Sequence, residues 1–163
     1  VARLMIRAMT SEDFKRFWGT FSQIVQAQET YAINPAITYQ SAFDLWCARP
    51  LKTYVFESRG DLLGSYYLKA NGEGPSGHIC NCGYMVKAVF QGQGIAQTLC
   101  EHSQAVAIEL GFKAMQFNSV VSTNAAAVHL WKKLGYRILG SIPKGYQHKQ
   151  LGYVDCYVMH KFL

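Results

Sequence analysis

The chain has 163 residues, half of them hydrophobic and 16% charged, which favours one globular domain over residues 1–163 and excludes a disordered segment. Its formal net charge of +6 comes from scattered Lys and Arg residues without a run of five, so no nucleic-acid partner is expected. Neither an apolar run of about 20 residues nor a signal-peptide pattern occurs, and we therefore expect a soluble cytoplasmic protein without membrane attachment.

The amino-terminal third is predicted to contain one strand and two helices. Alternation over 3–9 indicates an edge or near-edge strand. A helix follows from Ser11 to about Gln28, where aromatic residues at helical spacing indicate a core face. A loop over 31–39 separates it from a short helix predicted over 41–49.

Three strands in the middle of the chain predict an antiparallel meander. The first two cover 52–58 and 62–70, and the Arg-Gly-Asp turn between them is typical of a hairpin. The third strand covers 78–88. His78, Cys80 and Cys82 share one face of it, but no CxxC pair or second ligand cluster accompanies them, so no metal site is expected. The five cysteines are odd in number and irregularly spaced, which favours reduced thiols.

A glycine-containing loop follows this third strand and leads into a helix. Gly92 and Gly94 allow a sharp turn, and the free N–H groups at the start of a helix near Ile95 favour an anion. A pyrophosphate would suit this cradle, although an ordinary strand-to-helix turn is the alternative. The dinucleotide fingerprint is excluded because position 97 is Gln and no acidic residue lies near 115, and the phosphate loop of nucleotide triphosphatases is absent.

The last third is predicted to alternate strands with a helix. The helix from Gly94 ends at Gly111, a strand covers 112–120, and a second helix covers 124–134. Two closing strands over 136–142 and 152–161 are predicted to be joined by a loop. The whole pattern predicts an α/β (α+β) fold, a mixed and mostly antiparallel sheet flanked by helices.

Two segments resemble one known family. Gln91-Gly92-Gln93-Gly94-Ile95-Ala96 resembles the coenzyme loop Gln/Arg-x-x-Gly-x-Gly/Ala of the Gcn5-related N-acetyltransferase (GNAT) superfamily. The segment over 122–136 is similar to the family's Asn-x-x-Ala-x-x-Leu-Tyr-x-Lys-x-Gly-Phe. The resemblance is close over about 51–162. It implies the acyl-CoA acyltransferase fold, in which two central strands splay apart and the pantetheine arm lies between them.

The resemblance implies acetyl-CoA as cosubstrate. The backbones of Val86 and Ala88 would pair with the pantetheine amides, and Asn124 would either reach the pantetheine or cap its helix. The N–H groups that would hold the pyrophosphate belong to Gln91, Gly92, Gln93, Gly94, Ile95 and Ala96. A backbone N–H near Val86 would stabilise the oxyanion formed when an amine attacks the thioester directly.

Trp131 stands where many relatives of this family carry the tyrosine that protonates the departing thiolate. An indole is not a useful acid. A thiol has an ordinary pKa of about 8.5, so the leaving thiolate is stable near neutral pH and we expect little dependence on a side-chain acid.

Asn81 and Asn118 are the candidate catalytic residues on the acceptor side. The strand that carries a glutamate in histone-type relatives has no carboxylate here, so a water held by Asn81 or Asn118 would serve as base. The pair could also hold an acceptor carboxylate, as implied by a resemblance of 78–84 and 117–119 to fungal acetyltransferases of proline analogues such as azetidine-2-carboxylate. A satisfied buried amide or a strand bulge is the structural alternative.

Three functions follow from these observations. The first is an enzyme, an acetyl-CoA-dependent N-acetyltransferase that acts on a small-molecule amine, with a carboxylated amine or imino acid as the leading acceptor. The alternatives are a protein N-acetyltransferase and a non-catalytic acetyl-CoA-binding module. A homodimer is left open.

Overall fold

The computed structural model describes residues 4–163, which form a sheet with helices on both faces. The strands are β1 (Leu4–Ala8), β2 (Lys52–Ser58), β3 (Asp61–Ala70), β4 (Ile79–Val86), β5 (Ala114–Val121), β6 (Arg137–His148) and β7 (Gly152–Phe162). The helices are α1 (Ser11–Ala27), α2 (Tyr39–Phe43, continued by a wider turn over Asp44–Ala48), α3 (Ile95–Glu109) and α4 (Ala125–Lys133). The predicted first strand began at residue 3, which lies outside the described residues.

The seven strands form one sheet in the order β1-β2-β3-β4-β5-β7-β6. Neighbouring strands are antiparallel except for β4 and β5, which are parallel and are joined through α3. The parallel pairing covers only Ile79–Ala114 and Cys80–Met115, and beyond these pairs the two strands separate. The mixed sheet and its splayed central strands were both predicted, and both are confirmed.

The two faces of the sheet carry separate hydrophobic cores. Helices α1 and α2 cover one face, where the buried Phe14, Phe17 and Phe21 confirm the predicted core side of the first helix. Helices α3 and α4 cover the other face. Because side chains alternate along a strand, Tyr84 of β4 joins the α3–α4 core while the next residue, Met85, joins the α1–α2 core.

The start of α1 is tied to β1 and β2 by an ionic cluster. Thr10 caps the helix, and its hydroxyl accepts the N–H of Asp13 while the Asp13 carboxylate accepts the N–H of Thr10. Asp13 is 4% exposed and also binds the guanidinium of Arg7 at 2.6 Å. Arg7 in turn reaches Glu57 on β2. The cluster therefore joins three elements beside the α1–α2 core.

The predicted loop between the two closing strands is wrong. The structure continues β6 to His148 and leaves only residues 149–151 as the turn. Two register shifts, after Ile138 and after Ile142, accommodate the glycines and Pro143. Proline and irregular pairing are tolerated because β6 is an edge strand, and no strand among residues 4–163 pairs with its outer N–H groups.

Two other predicted boundaries shift by a few residues. Strand β4 ends at Val86 instead of Ala88, because residues 88–90 form a single tight helical turn. Helix α2 begins at Tyr39, two residues before the predicted start, because the hydroxyl of Thr38 caps it by accepting the N–H of Ser41 at 3.2 Å.

Candidate active site

The loop between β4 and α3 has the geometry of an anion cradle. Gly92 and Gly94 both have a φ of +79°, a left-handed conformation that favours glycine. A Cβ at either position would meet no atom within 4 Å, so the glycines are required by the backbone conformation and not by crowding. The open space beside them leaves room for a ligand to approach the backbone.

The backbone amides after Gln91 are free to bind such a ligand. In the part of the chain that the structure describes, the N–H groups of residues 92–97 have no backbone hydrogen bond, whereas that of Gln91 donates to Ala88 at 3.2 Å. They lie at the amino terminus of α3, where the helix dipole favours negative charge. Lys133 of α4 reaches this first turn and donates to the side chain of Gln97 at 3.3 Å. These features fit a pyrophosphate.

Strand β4 presents backbone groups to the gap between itself and β5. Ile79 C=O accepts the N–H of Asn71 and Lys87 N–H donates to Leu63, so the odd-numbered residues bond on the β3 side. The N–H and C=O groups of the even-numbered residues Tyr84 and Val86 must then face β5, from which β4 has already separated. An extended molecule with amides of its own could pair with these groups as an added strand does.

Trp131 forms the floor of the gap on the α3–α4 face. It is 8% exposed, and its ring centroid lies 5.2 Å from that of Tyr84 on β4 and 4.9 Å from that of Phe117 on β5. The indole therefore spans the split between β4 and β5 on the α3–α4 face of the sheet. Asn124 lies one residue before α4 and caps it, its side-chain oxygen accepting the N–H of Ala127 at 3.4 Å.

Asn81 bridges the split on the opposite face, where the strands begin to separate. Its Nδ2 donates to the backbone carbonyl of Gln116 on β5 at 2.9 Å, and its Oδ1 accepts the hydroxyl of Tyr67 at 3.0 Å. The residue is 6% exposed, so both hydrogen bonds offset the burial of its amide. Tyr67 can lie flat across β4 because residue 83 is glycine, where a Cβ would stand 2.4 Å from its ring.

Asn118 belongs to the same face but is exposed. Its Nδ2 donates to the side chain of Asn71 at 2.7 Å, and its Oδ1 accepts from Gln116 at 3.0 Å. The structure therefore places Asn81 and Asn118 on one face. Asn81 bonds to the backbone of Gln116, and Asn118 bonds to the side chain of Gln116. Each amide keeps one N–H that these bonds do not use.

Two tyrosines also lie on the α1–α2 face of the gap, and nothing in the sequence singled them out. Tyr31, in the loop after α1, donates its hydroxyl to the carbonyl of Tyr84 in the gap. Tyr67 holds Asn81. An asparagine within a strand stands out because strands disfavour it, whereas tyrosine is common in strands and loops. No local pattern could have distinguished these two from other tyrosines.

Tyr31, Tyr67 and Cys82 are neutral near pH 7. Burial raises the pKa of Tyr67 to about 12, and burial likewise raises the pKa of Tyr31 well above its ordinary value. Burial also raises the pKa of the Cys82 thiol. Within residues 4–163, no group of three or more His, Cys, Asp or Glu side chains is placed to hold a metal ion. No helix among these residues is long and apolar enough to cross a membrane.

Comparison with known proteins gives matches over most of the chain. Residues 5–136 match the model of the acetyltransferase (GNAT) family. The N-acetyltransferase aca1 of Schizosaccharomyces pombe is 34% identical over 116 residues, 68% of this chain. These residues are 54% of aca1, so the matching part spans about half the length of that relative.

Solved structures match over nearly the whole chain. A GCN5-related N-acetyltransferase from Kribbella flavida is 38% identical and superposes with a TM-score of 0.93 over 98% of both chains. The protein yncA of Salmonella typhimurium, solved with its cofactor acetyl-CoA, has a TM-score of 0.87 over 99% of this chain and 94% of its own. Its identity is 19%, so that likeness concerns the fold.

Proposed function

This chain belongs to the acetyltransferase (GNAT) family, and from that premise we propose that it transfers the acetyl group of acetyl-CoA to the nitrogen of a small carboxylated amine or imino acid. The observation that carries the proposal is the continuity of the cradle of free amides at Gly92–Gln97 with the open gap beside Tyr84 and Val86. A coenzyme with a pyrophosphate at one end and an amide-containing arm matches both parts in order.

The coenzyme would be held almost entirely by backbone groups. The amides from Gly92 to Ala96 would bind the pyrophosphate, and the N–H and C=O of Val86 would pair with the pantetheine. Ala88 lies in the tight turn beyond the strand, so it would contact the arm at its phosphate end. Asn124 and Trp131 would line the α4 side. Acetyl-CoA supplies a reactive thioester carbon, and the protein orients it.

The reaction would proceed by direct attack of the amine on that carbon. A C–N bond forms as the C–S bond breaks, the amine proton passes to water, and coenzyme A leaves as its thiolate. A backbone N–H near Val86, that of Tyr84, is also directed into the gap and would stabilise the oxyanion. The described side chains at the gap are those of asparagine, glutamine and aromatic residues. This supports a water held by Asn81 or Asn118 as the proton acceptor.

The side chains on the α1–α2 face of the gap support a carboxylated acceptor. Asn71, Gln116 and Asn118 present carboxamide groups beside Asn81, and none of them carries a charge that would repel a carboxylate. The unused N–H groups of Asn81 and Asn118 are donors suited to carboxylate oxygens. Asn118 is the more exposed of the two and is the better residue to test, because removing Asn81 would leave the half-buried Gln116 carbonyl without its partner.

The experiment that tests the proposal measures thiol release from acetyl-CoA with cyclic imino acids, amino acids, simple amines and peptides. We expect turnover of at least one carboxylated amine, and Asn118→Ala should lower kcat/KM for it by about tenfold while the KM for acetyl-CoA stays within about twofold. Gln23→Ala, which removes an exposed amide on α1, is the matched control. Turnover of peptides alone would favour a protein substrate, and tight coenzyme binding without any turnover would favour a binding module.

We also propose that the chain pairs with a second copy of itself along β6. This strand is at the edge of the sheet and is exposed over most of its length. Leu139 is 60% exposed and Ile142 is 50% exposed, so the edge carries apolar side chains as well as open backbone groups. A two-fold axis beside β6 would cover both sets at once.

A further inference from the structure

Tyr31 lies on the α1–α2 face of the sheet, where the gap between β4 and β5 opens. It lies in the loop between α1 and α2, yet its hydroxyl donates across to the backbone carbonyl of Tyr84 on β4. That carbonyl is one of the even-numbered groups that face the split, because the odd-numbered groups of β4 bond to β3. The phenol oxygen therefore stands at the gap, on the face opposite Trp131.

The structure holds Tyr31 in this place from several sides. Its ring packs edge-on against the buried Trp46, with centroids 6.3 Å apart at 74°. Its backbone carbonyl accepts the hydroxyl of Tyr146 at 3.1 Å, and the neighbouring Gln28 carbonyl accepts the N–H of Lys149 at 3.0 Å. The β6–β7 hairpin thereby clamps the loop that carries Tyr31, and the phenol is pre-organised.

A cleft of about 230 Å³ opens beside the ring. Its lining includes Tyr31 and Ile33 on the α1–α2 loop and Gly145 and Tyr146 on β6. The cleft has room for a small molecule beside the loop that carries Tyr31.

The chemistry of the Tyr31 hydroxyl limits its role to hydrogen bonding. Burial raises its pKa far above 7, so the phenol is neutral and is not a general base. Its single proton is donated to Tyr84, which directs the oxygen lone pairs away from the strand. Such an oxygen can accept a hydrogen bond from an amine N–H.

We infer that Tyr31 positions the acceptor nitrogen, its hydroxyl oxygen accepting an N–H of the amine so that the nitrogen lone pair is aimed at the thioester carbon in the gap. This inference rests on the proposed function. The bonds change as in that reaction: C–N forms, C–S breaks, and one amine proton passes to water. In a primary amine this is the N–H that Tyr31 does not hold, and in an imino acid it is the single N–H, which passes from Tyr31 to water as the C–S bond breaks. The tyrosine keeps its own proton throughout.

The test compares aminolysis with hydrolysis in Tyr31→Phe. We expect kcat/KM for the best acceptor amine to fall by about tenfold, the effect of one lost hydrogen bond to the reacting nitrogen. Acetyl-CoA affinity, measured by calorimetry, and the slow hydrolysis of acetyl-CoA without acceptor should both stay within about twofold. Tyr153→Phe on the exposed surface of β7 is the matched control.

The two rates separate a positioning role from a structural one. Equal losses of aminolysis and hydrolysis, or an unchanged kcat/KM for the amine, would overturn the role of Tyr31 while leaving the proposed function intact. Failure of the wild-type protein to acetylate any amine, with acetyl-CoA still bound, would instead overturn the proposed function. Thermal unfolding of the variant checks that it is folded at the assay temperature.

Discussion

Asp13 is the residue whose ionisation contributes most visibly to folding. The hydrogen bond from Arg7 lowers the pKa of Asp13 from its ordinary 3.8 to about 2, against the opposing effect of burial. Because the folded-state pKa is depressed, the stabilisation is complete above about pH 4 and is lost as the pH falls through 2. The shift corresponds to about 2 kcal/mol.

We therefore expect Asp13→Asn to lower the free energy of unfolding by about 2 kcal/mol at pH 7, measured by urea denaturation. The difference from wild type should shrink below pH 4 and nearly vanish at about pH 1, because the wild-type carboxylate is then protonated as well. Glu12→Gln is the control, since Glu12 is exposed and pairs with Lys15 on the same helix turn. A difference that does not depend on pH would mean that the ion pair is not its source.

Single residues also mark the limit of sequence reasoning at the site. Asn81 and Asn118 stood out because asparagine is unusual in a strand, and the structure places both on the α1–α2 face of the gap. The buried-amide alternative describes Asn81 well, since Tyr67 and Gln116 satisfy it. Neither partner is near it in sequence, so this bridge could not be predicted from spacing.

At the scale of elements, α3 has glycines at both ends with different roles. Gly94 precedes the helix with φ +79°, and Gly111 follows it with φ +89°. A Cβ at either position would meet nothing within 4 Å, so alanine would be strained by backbone conformation alone. Only Gly94 belongs to the candidate coenzyme loop.

This pair allows strain to be separated from binding. We expect Gly94→Ala and Gly111→Ala each to lower stability by about 1 kcal/mol. Gly94→Ala should also weaken acetyl-CoA binding by about tenfold. The loop would shift to relieve the strain at alanine, and this shift would misalign the amides that bind the charged pyrophosphate. Calorimetric titration checks the affinity, and an equal loss of affinity in Gly111→Ala would show that the loop geometry is not responsible.

At the scale of the whole molecule, the open edge at β6 makes a prediction about assembly. We expect sedimentation equilibrium to give a dimer at micromolar concentration, and Leu139→Glu to shift it to monomer by placing a charge in the interface. Ile108→Glu is a matched control, because Ile108 is 59% exposed on α3, away from β6. A monomeric wild-type protein would contradict the proposed pairing.

The sequence by itself determined the elements that depend on local chemistry. Helical spacing identified α1, two ordered motifs identified the family, and the glycines of residues 92 and 94 identified the loop before α3. Each of these signals lies within one continuous segment, where periodicity, capping and backbone freedom act over a few residues. The order of hairpins and crossovers predicted the mixed sheet, and its splayed centre followed from the family resemblance.

Only the tertiary structure decided what meets at the gap. Tyr31 reaches Tyr84 across 53 positions of the chain, and Asn81 reaches Gln116 across 35. The extension of β6 to His148 likewise depends on its pairing with β7 at the sheet edge, which outweighs the local turn signals of Gly140, Pro143 and Gly145. Such contacts are set by how the elements pack, and spacing along the chain carries no record of that packing.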